Sequence, residues 1–267
     1  MASIAKALDE TGVFVWRNLA HIPRVPEKLA DVTIQPIMFV VLFGYVFGSA
    51  IAIPGGGNYR EFLMGGIFIQ SLTFAAMSSA MGVVSDMKEG VIDRFRSLPI
   101  TRLSVLLGRA IASLIESALG ITIMAICGLI VGWGIHNGFG NAVAGFALLG
   151  AYAFAMICIG AAIGLLVRTT EAAQGIGFVI IFPLTFASNA FVPTQGMPAI
   201  LRFIADWGPV SPAVAAVRHL FGNPNPIPED AGWMLQHPIA GALIWCVILS
   251  VLGLSVAVWR YSKGGRR

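Results

Sequence analysis

The chain has 267 residues, of which 57% are hydrophobic and only 11% are charged, and its formal net charge is +4. Soluble domains carry about 25% charged residues, so this composition excludes an ordinary soluble domain and is typical of an integral membrane protein. The three cysteines lie inside apolar runs without metal-site spacing, so we interpret them as free core residues: Cys127, Cys158 and Cys246.

Six apolar stretches are long enough to cross a bilayer as helices, which requires about 20 mainly apolar residues. They cover approximately residues 32–49, 62–84, 110–132, 142–167, 173–191 and 238–259. The sequence therefore predicts an all-α polytopic membrane protein with six transmembrane helices. We find no internal repeat and no low-complexity linker, so we expect residues 1–267 to form a single membrane domain.

Basic residues are distributed unevenly around these spans. On one side lie 14 of the 17 lysines and arginines, and only Arg60, Arg202 and Arg218 fall on the other. Cytoplasmic loops carry an excess of Lys and Arg, so both termini of this multi-pass chain are predicted to be cytoplasmic.

Two segments outside the spans are predicted to lie at the membrane surface. In residues 1–30, apolar residues recur at helical spacing: Ile4, Leu8, Val15, Leu19 and Ile22. This pattern predicts an amphipathic interfacial helix, with an ordinary solvated helix as the alternative. The extracytoplasmic segment 192–237 has two apolar pieces separated by Pro209 and Pro212, each about ten residues and therefore re-entrant or interfacial rather than spanning.

The stretch DMKEGVIDRFRSLPITRLSVLLGR, residues 86–109, holds eight of the thirty charged residues. A charge at the bilayer centre costs roughly 2.5–3.5 kcal/mol, so this stretch is predicted to be cytosolic. Val91, Phe95 and Leu98 form one apolar stripe before Pro99, which predicts a short amphipathic helix over residues 86–98. Periodicity alone allows either a helix lying on lipid headgroups or a docking element for a cytosolic partner.

The run GVIDRFRSLPITR at residues 90–102, followed by LLGR at 106–109, resembles the cytoplasmic signature of type-2 ABC exporter permeases. In particular it is similar to the daunorubicin-resistance (DrrB-like) drug-efflux branch. Further matches follow in chain order, with QPIMFVVLFGYVFG at residues 35–48 and FPLTFASNAFVPTQGMPAILRFIADWGPVSPAVAAVR at 182–218. The resemblance implies six spans, a re-entrant extracytoplasmic hairpin, a bacterial plasma (inner) membrane, and two permeases paired with two ATPase subunits.

The resemblance also assigns roles to residues in the cytosolic stretch and near the outer surface. The helix at 86–98 would be a coupling helix seated in a groove of the ATPase subunit, and its implied contact residues are Glu89, Gly90, Val91, Arg94, Phe95, Arg96, Pro99 and Arg102. The segment after span 5 would form an outer gate or lid containing Phe191, Pro193, Met197 and Pro198, with a stiff connecting loop as the alternative. The chain contains no G-x-x-x-x-G-K-[ST] motif, so ATP and Mg²⁺ are expected on the partner ATPase subunit.

Aromatic and polar side chains along spans 2 and 5 are candidates for a substrate path. They are Gln70, Phe74 and Met77 in span 2, and Phe178, Phe182, Phe186 and Asn189 in or beside span 5. Aromatic and thioether side chains suit a cavity for flat hydrophobic compounds, and the family places both spans at the dimer axis. Lipid-facing or packing roles are the alternative, and Pro183 predicts a bend in span 5.

Glu116 is the only ionisable residue well inside a predicted span. Such carboxylates are rare and usually functional or paired. Glu116 is therefore either part of a polar relay or a contact for a cationic cargo, or it is neutralised by Arg17, by Arg109 or by protonation. Small residues in the spans are assigned to close helix packing: Gly65, Gly66, Gly160 and Gly164.

These patterns predict the permease subunit of an exporter for a hydrophobic or amphipathic drug, with a lipid or polysaccharide intermediate as an alternative cargo. An ion-coupled secondary carrier is a further alternative, but such carriers usually contain several intramembrane ionisable residues and repeats. The four histidines show no metal spacing, and we find no catalytic cluster, so the chain is not predicted to be an enzyme. Expected partners are an ABC ATPase subunit, a second copy of the chain and the bilayer, but no nucleic acid.

Overall fold

The computed structural model describes residues 34, 37–47, 53–88 and 102–263, and it describes their side chains except at residues 47, 102–107 and 261–263. All regular elements in these ranges are helical. In chain order they are α1 (Ile37–Val46, with π-helical turns over Leu42–Phe47), α2 (Tyr59–Lys88), α3 (Arg102–Val131), α4 (Gly138–Leu166), α5 (Thr170–Phe186), α6 (Ala199–Trp207), α7 (Val210–Phe221), α8 (Trp233–Gln236) and α9 (Pro238–Lys263). A 3₁₀ turn at Thr194–Gly196 precedes α6.

Four of the described helices are long and apolar enough to cross a membrane: α2, α3, α4 and α9. The pair α6 and α7, whose axes are bent by 62° at residues 208–209, makes a fifth if it counts as one span. The predicted all-helical membrane architecture is thus confirmed for the described residues. The helices at the positions of predicted spans 1 and 5, α1 and α5, are apolar but shorter than the four long helices, so they do not count as spans by length.

Several predicted boundaries differ from the structure, and α3, for example, begins at Arg102 rather than at about residue 110. Span 5 was predicted to reach residue 191, but α5 ends at Phe186, where local side-chain bonds replace the helical ladder. The Ser188 hydroxyl donates to the carbonyl of Thr185 and accepts from the N–H of Ala190, and such local bonds compete with helix continuation. Residues 86–88 of the predicted coupling helix belong to the end of α2, while residues 1–30 and 89–98 lie outside the described part.

The centre of the fold is the α2–α4 pair. Within their spanning windows 61% and 56% of residues are buried, against 22% in both α3 and α9, so α2 and α4 face mainly protein. Glycines permit this contact, because a Cβ at Gly160 would lie well inside 3.0 Å of the Ala76 carbonyl, and one at Gly164 would lie 2.6 Å from the Ala80 carbonyl. The predicted packing role of these glycines is confirmed.

Polar caps fix where α2 and α5 begin. The side-chain oxygen of Asn58 accepts the N–H of Arg60 at 3.0 Å, and Thr169 accepts the N–H of Ala172 at 3.1 Å. Asn and Thr are favoured at N-caps because they satisfy N–H groups that lack a partner in the first helical turn. The two helices that carry the predicted path residues therefore have defined starts.

Candidate functional site

The helices α2 and α5 run antiparallel and bring the two predicted halves of the path together. The rings of Phe74 and Phe178 meet edge to face, with centroids 6.3 Å apart. One turn further along α2, Met77 covers Gly177, where a Cβ would lie 2.9 Å from the methionine Cγ. The pattern of aromatic and thioether residues therefore converges on one interface in the structure.

A row of stacked phenylalanines continues from this interface toward α1. Ring centroids are 4.3 Å apart for Phe182 and Phe186, 5.1 Å for Phe186 and Phe191, and 4.6 Å for Phe191 and Phe43. Phe191 is buried, whereas Phe178, Phe182 and Phe186 are 46%, 45% and 37% exposed in the single chain. The row is thus an open apolar face on α5 that is closed at one end by Phe191.

Two amide side chains are buried close in the chain to members of this aromatic cluster. Gln70 and Asn189 are only 2% and 6% exposed. Within the described residues, neither the Nε2 of Gln70 nor the Oδ1 of Asn189 has a hydrogen-bond partner. An unsatisfied buried polar atom costs about 1–3 kcal/mol and calls for a specific explanation. Gln70 lies one helical turn before Phe74 on α2, and Asn189 lies between Phe186 and Phe191 in the chain, so one buried donor and one buried acceptor lie at the two ends of the aromatic cluster.

Arg218 is absent from the site residues that the sequence predicts, where it counts only as one of the few extracytoplasmic basic residues. Its side chain is fully buried, and its Nε donates to the carbonyl of Phe62 at 2.7 Å. Its two terminal nitrogens donate to the carbonyls of Asn189 and Ala190, both at 2.9 Å, and the guanidinium lies 3.5 Å from the Phe62 ring centroid. A lone arginine inside the apolar helix α7 was the available sequence signal.

The other predicted gate residues lie apart from the phenylalanine row. Pro193 comes just before the 3₁₀ turn, Met197 closes that turn by donating its N–H to the Thr194 carbonyl at 3.0 Å, and Pro198 precedes α6. Pro193 and Met197 are half-buried and Pro198 is exposed. Of the four predicted gate residues, Phe191 is therefore the one whose side chain stacks on the phenylalanine row.

An ion pair ties α6 to the loop before α8. The guanidinium of Arg202 donates a hydrogen bond to Asp230 and thereby lowers the pKa of that carboxyl group. The backbone N–H of Gly232 donates to the carboxylate of Asp206 at 3.3 Å, which adds a second link between α6 and the loop before α8. The hairpin of α6 and α7 is therefore tied to the loop that leads to α9.

At the C-terminal end of α2, an ion pair connects the two helices that the charged stretch joins, α2 and α3. Arg109 on α3 donates to Asp86 on α2, and Arg109 packs over Gly82, where any side chain would clash with it. Glu116, further along α3, is half-buried and has an interaction partner. Arg102 is the first residue of α3, and the other predicted coupling residues, from Glu89 to Pro99, lie outside the described residues.

Residues 9–221 match the model of the ABC-2 type transporter family, and the chain belongs to that family. The predicted family resemblance is therefore confirmed. Over 216 residues, the chain is 29% identical to the daunorubicin resistance ABC transporter permease protein DrrB1 of Streptomyces coeruleorubidus, covering 81% of this chain and 76% of that protein. It is also 26% identical over 286 residues to the doxorubicin resistance ABC transporter permease protein DrrB of Mycobacterium tuberculosis, covering 97% and 93%.

Proposed function

We propose that this chain is the transmembrane permease subunit of an ATP-driven exporter that expels a hydrophobic or amphipathic drug from a bacterial cell. The observation that carries the proposal is the open phenylalanine face of α5 beside α2 in a chain of the ABC-2 type transporter family. Flat apolar compounds stack on such a face, and the amides of Gln70 and Asn189 offer them one donor and one acceptor. The proposed cargo is therefore an aromatic molecule with polar substituents.

The proposed topology has six spans, with both termini in the cytoplasm and residues 192–237 re-entering the membrane from outside. The bent α6–α7 pair supports a re-entrant hairpin, because neither helix is long enough to cross alone. The 17 residues of α5 extend about 26 Å at 1.5 Å per residue, close to the hydrocarbon thickness of about 30 Å. The turn at residues 187–191 would complete that crossing.

Two copies of the chain are proposed to enclose the path. Phe178, Phe182 and Phe186 keep 37–46% of their surface exposed in the single chain, and a second α5 facing them would bury both rows. Each α5 would then line one side of a shared cavity on the two-fold axis. Aromatic side chains on both sides would suit cargo of varied shape.

The driving force is proposed to come from a separate ABC ATPase subunit that binds ATP and Mg²⁺. Its docking site would be the cytosolic helix containing Arg94 and Arg96, at the end of α2. Because α2 carries Gln70, Phe74 and Met77, a displacement of its cytosolic end would move one wall of the path directly. The proposal thus places the ATPase contact a few residues after the helix that carries three of the cargo contacts.

The coupling site is tested by reversing its charges. The double variant Arg94→Glu/Arg96→Glu is expected to lose association with the ATPase subunit, with at least tenfold less ATPase in pull-downs, because buried charge complementarity at an interface is inverted. Membrane insertion should be unchanged, since these residues are predicted to be cytosolic. The measurement is the amount of ATPase that co-purifies from membranes with the tagged full-length chain.

The matched control is Arg260→Glu/Lys263→Glu, which makes the same change in net charge at the predicted cytosolic end of α9. This control should retain the ATPase subunit. If both double variants retain it equally, or both lose it equally, the coupling assignment is wrong.

The cargo contact is tested at Gln70. Gln70→Met keeps the side-chain volume but removes an amide nitrogen that has no partner among the described residues, so thermal stability should not fall. The half-saturating concentration of doxorubicin, used as a flat polar-substituted probe, should rise about tenfold, as expected for one lost hydrogen bond of about 1.4 kcal/mol. It is measured from probe-stimulated ATP hydrolysis by the complex in vesicles.

Ser71→Ala is the control for the same helix, since its hydroxyl donates to the sulfur of Met124 on α3 and not toward α5. That variant should leave the half-saturating concentration unchanged. A drop in melting temperature for Gln70→Met, with unaltered probe dependence, would assign Gln70 to packing.

A further inference from the structure

Three consecutive backbone carbonyls after α5 are held by side chains from distant parts of the chain. Arg218 donates to the carbonyls of Asn189 and Ala190, each at 2.9 Å, and the Tyr59 hydroxyl donates to the carbonyl of Phe191 at 3.1 Å. These carbonyls follow the end of a helix and have no helical partners, so side chains must satisfy them. We refer to Arg218 and Tyr59 as the carbonyl clamp.

The carbonyl clamp determines where Phe191 lies. Phe191 stacks on Phe186 of α5 and on Phe43 of α1, with centroids 5.1 and 4.6 Å apart, and so connects the exposed row to the buried core. The carbonyl of Ala190 approaches α2 at Gly66, where any side chain would occupy its position. The turn is therefore held by α2 on one side and by α7 on the other.

We propose that Arg218 and Tyr59 are positioning residues that keep Phe191 across the outer end of the path, so that the path opens outward only when the carbonyl clamp releases. This inference rests on the proposed export function. The carbonyl clamp makes no contact with cargo in this assignment; it acts through the turn at residues 189–191.

Because Arg218 is charged and buried, its two hydrogen bonds to the turn at residues 189–191 should form and break together. Within the described chain, no carboxylate pairs with Arg218, and its charge is compensated by three carbonyls and the face of the Phe62 ring. A buried cation is tolerated only while such partners surround it. If the turn moves away, the guanidinium loses two of its three acceptors and must gain water or follow the turn. Intermediate positions are therefore disfavoured.

Tyr59→Phe is the sharpest test, because it removes one hydroxyl and leaves the ring that packs against Phe62. We expect hydrogen–deuterium exchange of the amides at residues 188–192 to quicken about three- to tenfold, the effect of one lost hydrogen bond. In vesicles containing the full-length chain without nucleotide, leakage of iodide, measured by quenching of an enclosed fluorophore, should rise by a similar factor.

Tyr152→Phe is the matched control. This buried tyrosine on α4 also loses one hydrogen bond to α2, from its hydroxyl to Thr73 at 2.9 Å, but it lies away from the turn. Neither exchange at residues 188–192 nor iodide leakage should change. The guanidinium of Arg218 reaches its three carbonyls with three different nitrogens, whereas lysine has a single side-chain nitrogen. If Arg218→Lys folds, it should therefore raise both the exchange rate and the iodide leakage more than Tyr59→Phe does.

If exchange at residues 188–192 is unchanged in Tyr59→Phe, the carbonyl clamp does not hold the turn and the proposal is wrong. If exchange quickens but iodide leakage does not, the carbonyl clamp holds the turn without closing the path, and the gating role is wrong. Both readouts are independent of cargo and ATP hydrolysis. A chain that fails the ATPase association test can therefore still pass this one, and the two proposals fail separately.

Discussion

Replacing Gly160 with alanine is expected to destabilise the protein by about 2–3 kcal/mol, the upper range for overpacking a tight contact. The added Cβ would overlap the Ala76 carbonyl and would lie 2.8 Å from the Ser79 Cβ. The carbonyl belongs to the backbone of α2 and cannot rotate away, so α2 and α4 must separate. That separation would also stretch the bond from the Ser79 hydroxyl to the Ile157 carbonyl, now 3.1 Å.

Gly150→Ala is the internal control, since it makes the same substitution in the same helix at a position where a Cβ would meet nothing within 4 Å. It should stabilise α4 by about 0.5–1 kcal/mol, because glycine costs that much relative to alanine in a helix interior. The two variants are compared by thermal unfolding of the full-length chain in detergent, followed by tryptophan fluorescence. Shifts of the same sign would contradict the proposed close packing of α2 on α4.

Local patterns were sufficient to predict the long helices and the packing glycines. The helices α2, α3, α4 and α9 correspond to continuous apolar runs, which hydropathy detects without reference to tertiary structure. The break between α6 and α7 was also predictable, because Pro209 stands at it, whereas Pro212 lies in the first turn of α7, where proline is tolerated. Phe178 and Phe182 were placed on one face by their spacing alone.

Long-range hydrogen bonds account for what the sequence did not predict. Arg218 reaches the carbonyl of Phe62, 156 residues away in sequence, and no periodicity encodes that contact. The end of α5 at Phe186 depends on the Ser188 hydroxyl, whereas the apolar run continues past it. Hydropathy measures side-chain polarity and does not register which backbone groups find partners, so it places the end of span 5 too late.

Reversing one charge of the Asp86–Arg109 pair is expected to uncouple ATP hydrolysis from transport. The pair joins α2 and α3 at the base of the charged stretch, and its side chains are 28% and 22% exposed. Asp86→Arg or Arg109→Asp would place like charges together, at a cost of about 1–2 kcal/mol for a partly buried pair. Probe-stimulated ATP hydrolysis by the complex should fall about tenfold, corresponding to about 1.4 kcal/mol of lost coupling.

The double variant Asp86→Arg/Arg109→Asp restores opposite charges and should recover at least half of the loss, which separates the ion pair from either side chain alone. Arg202 and Asp230 form a second ion pair between α6 and the loop before α8, with Asp230 more exposed than Asp86, so their charge swap controls for a general effect of moving charges. That swap should leave coupling intact, because in the proposed mechanism force from the ATPase subunit enters at the ends of α2 and α3 that flank the charged stretch. If the double variant Asp86→Arg/Arg109→Asp shows probe-stimulated ATP hydrolysis as low as that of the worse single variant, then α2 and α3 do not move together through this ion pair.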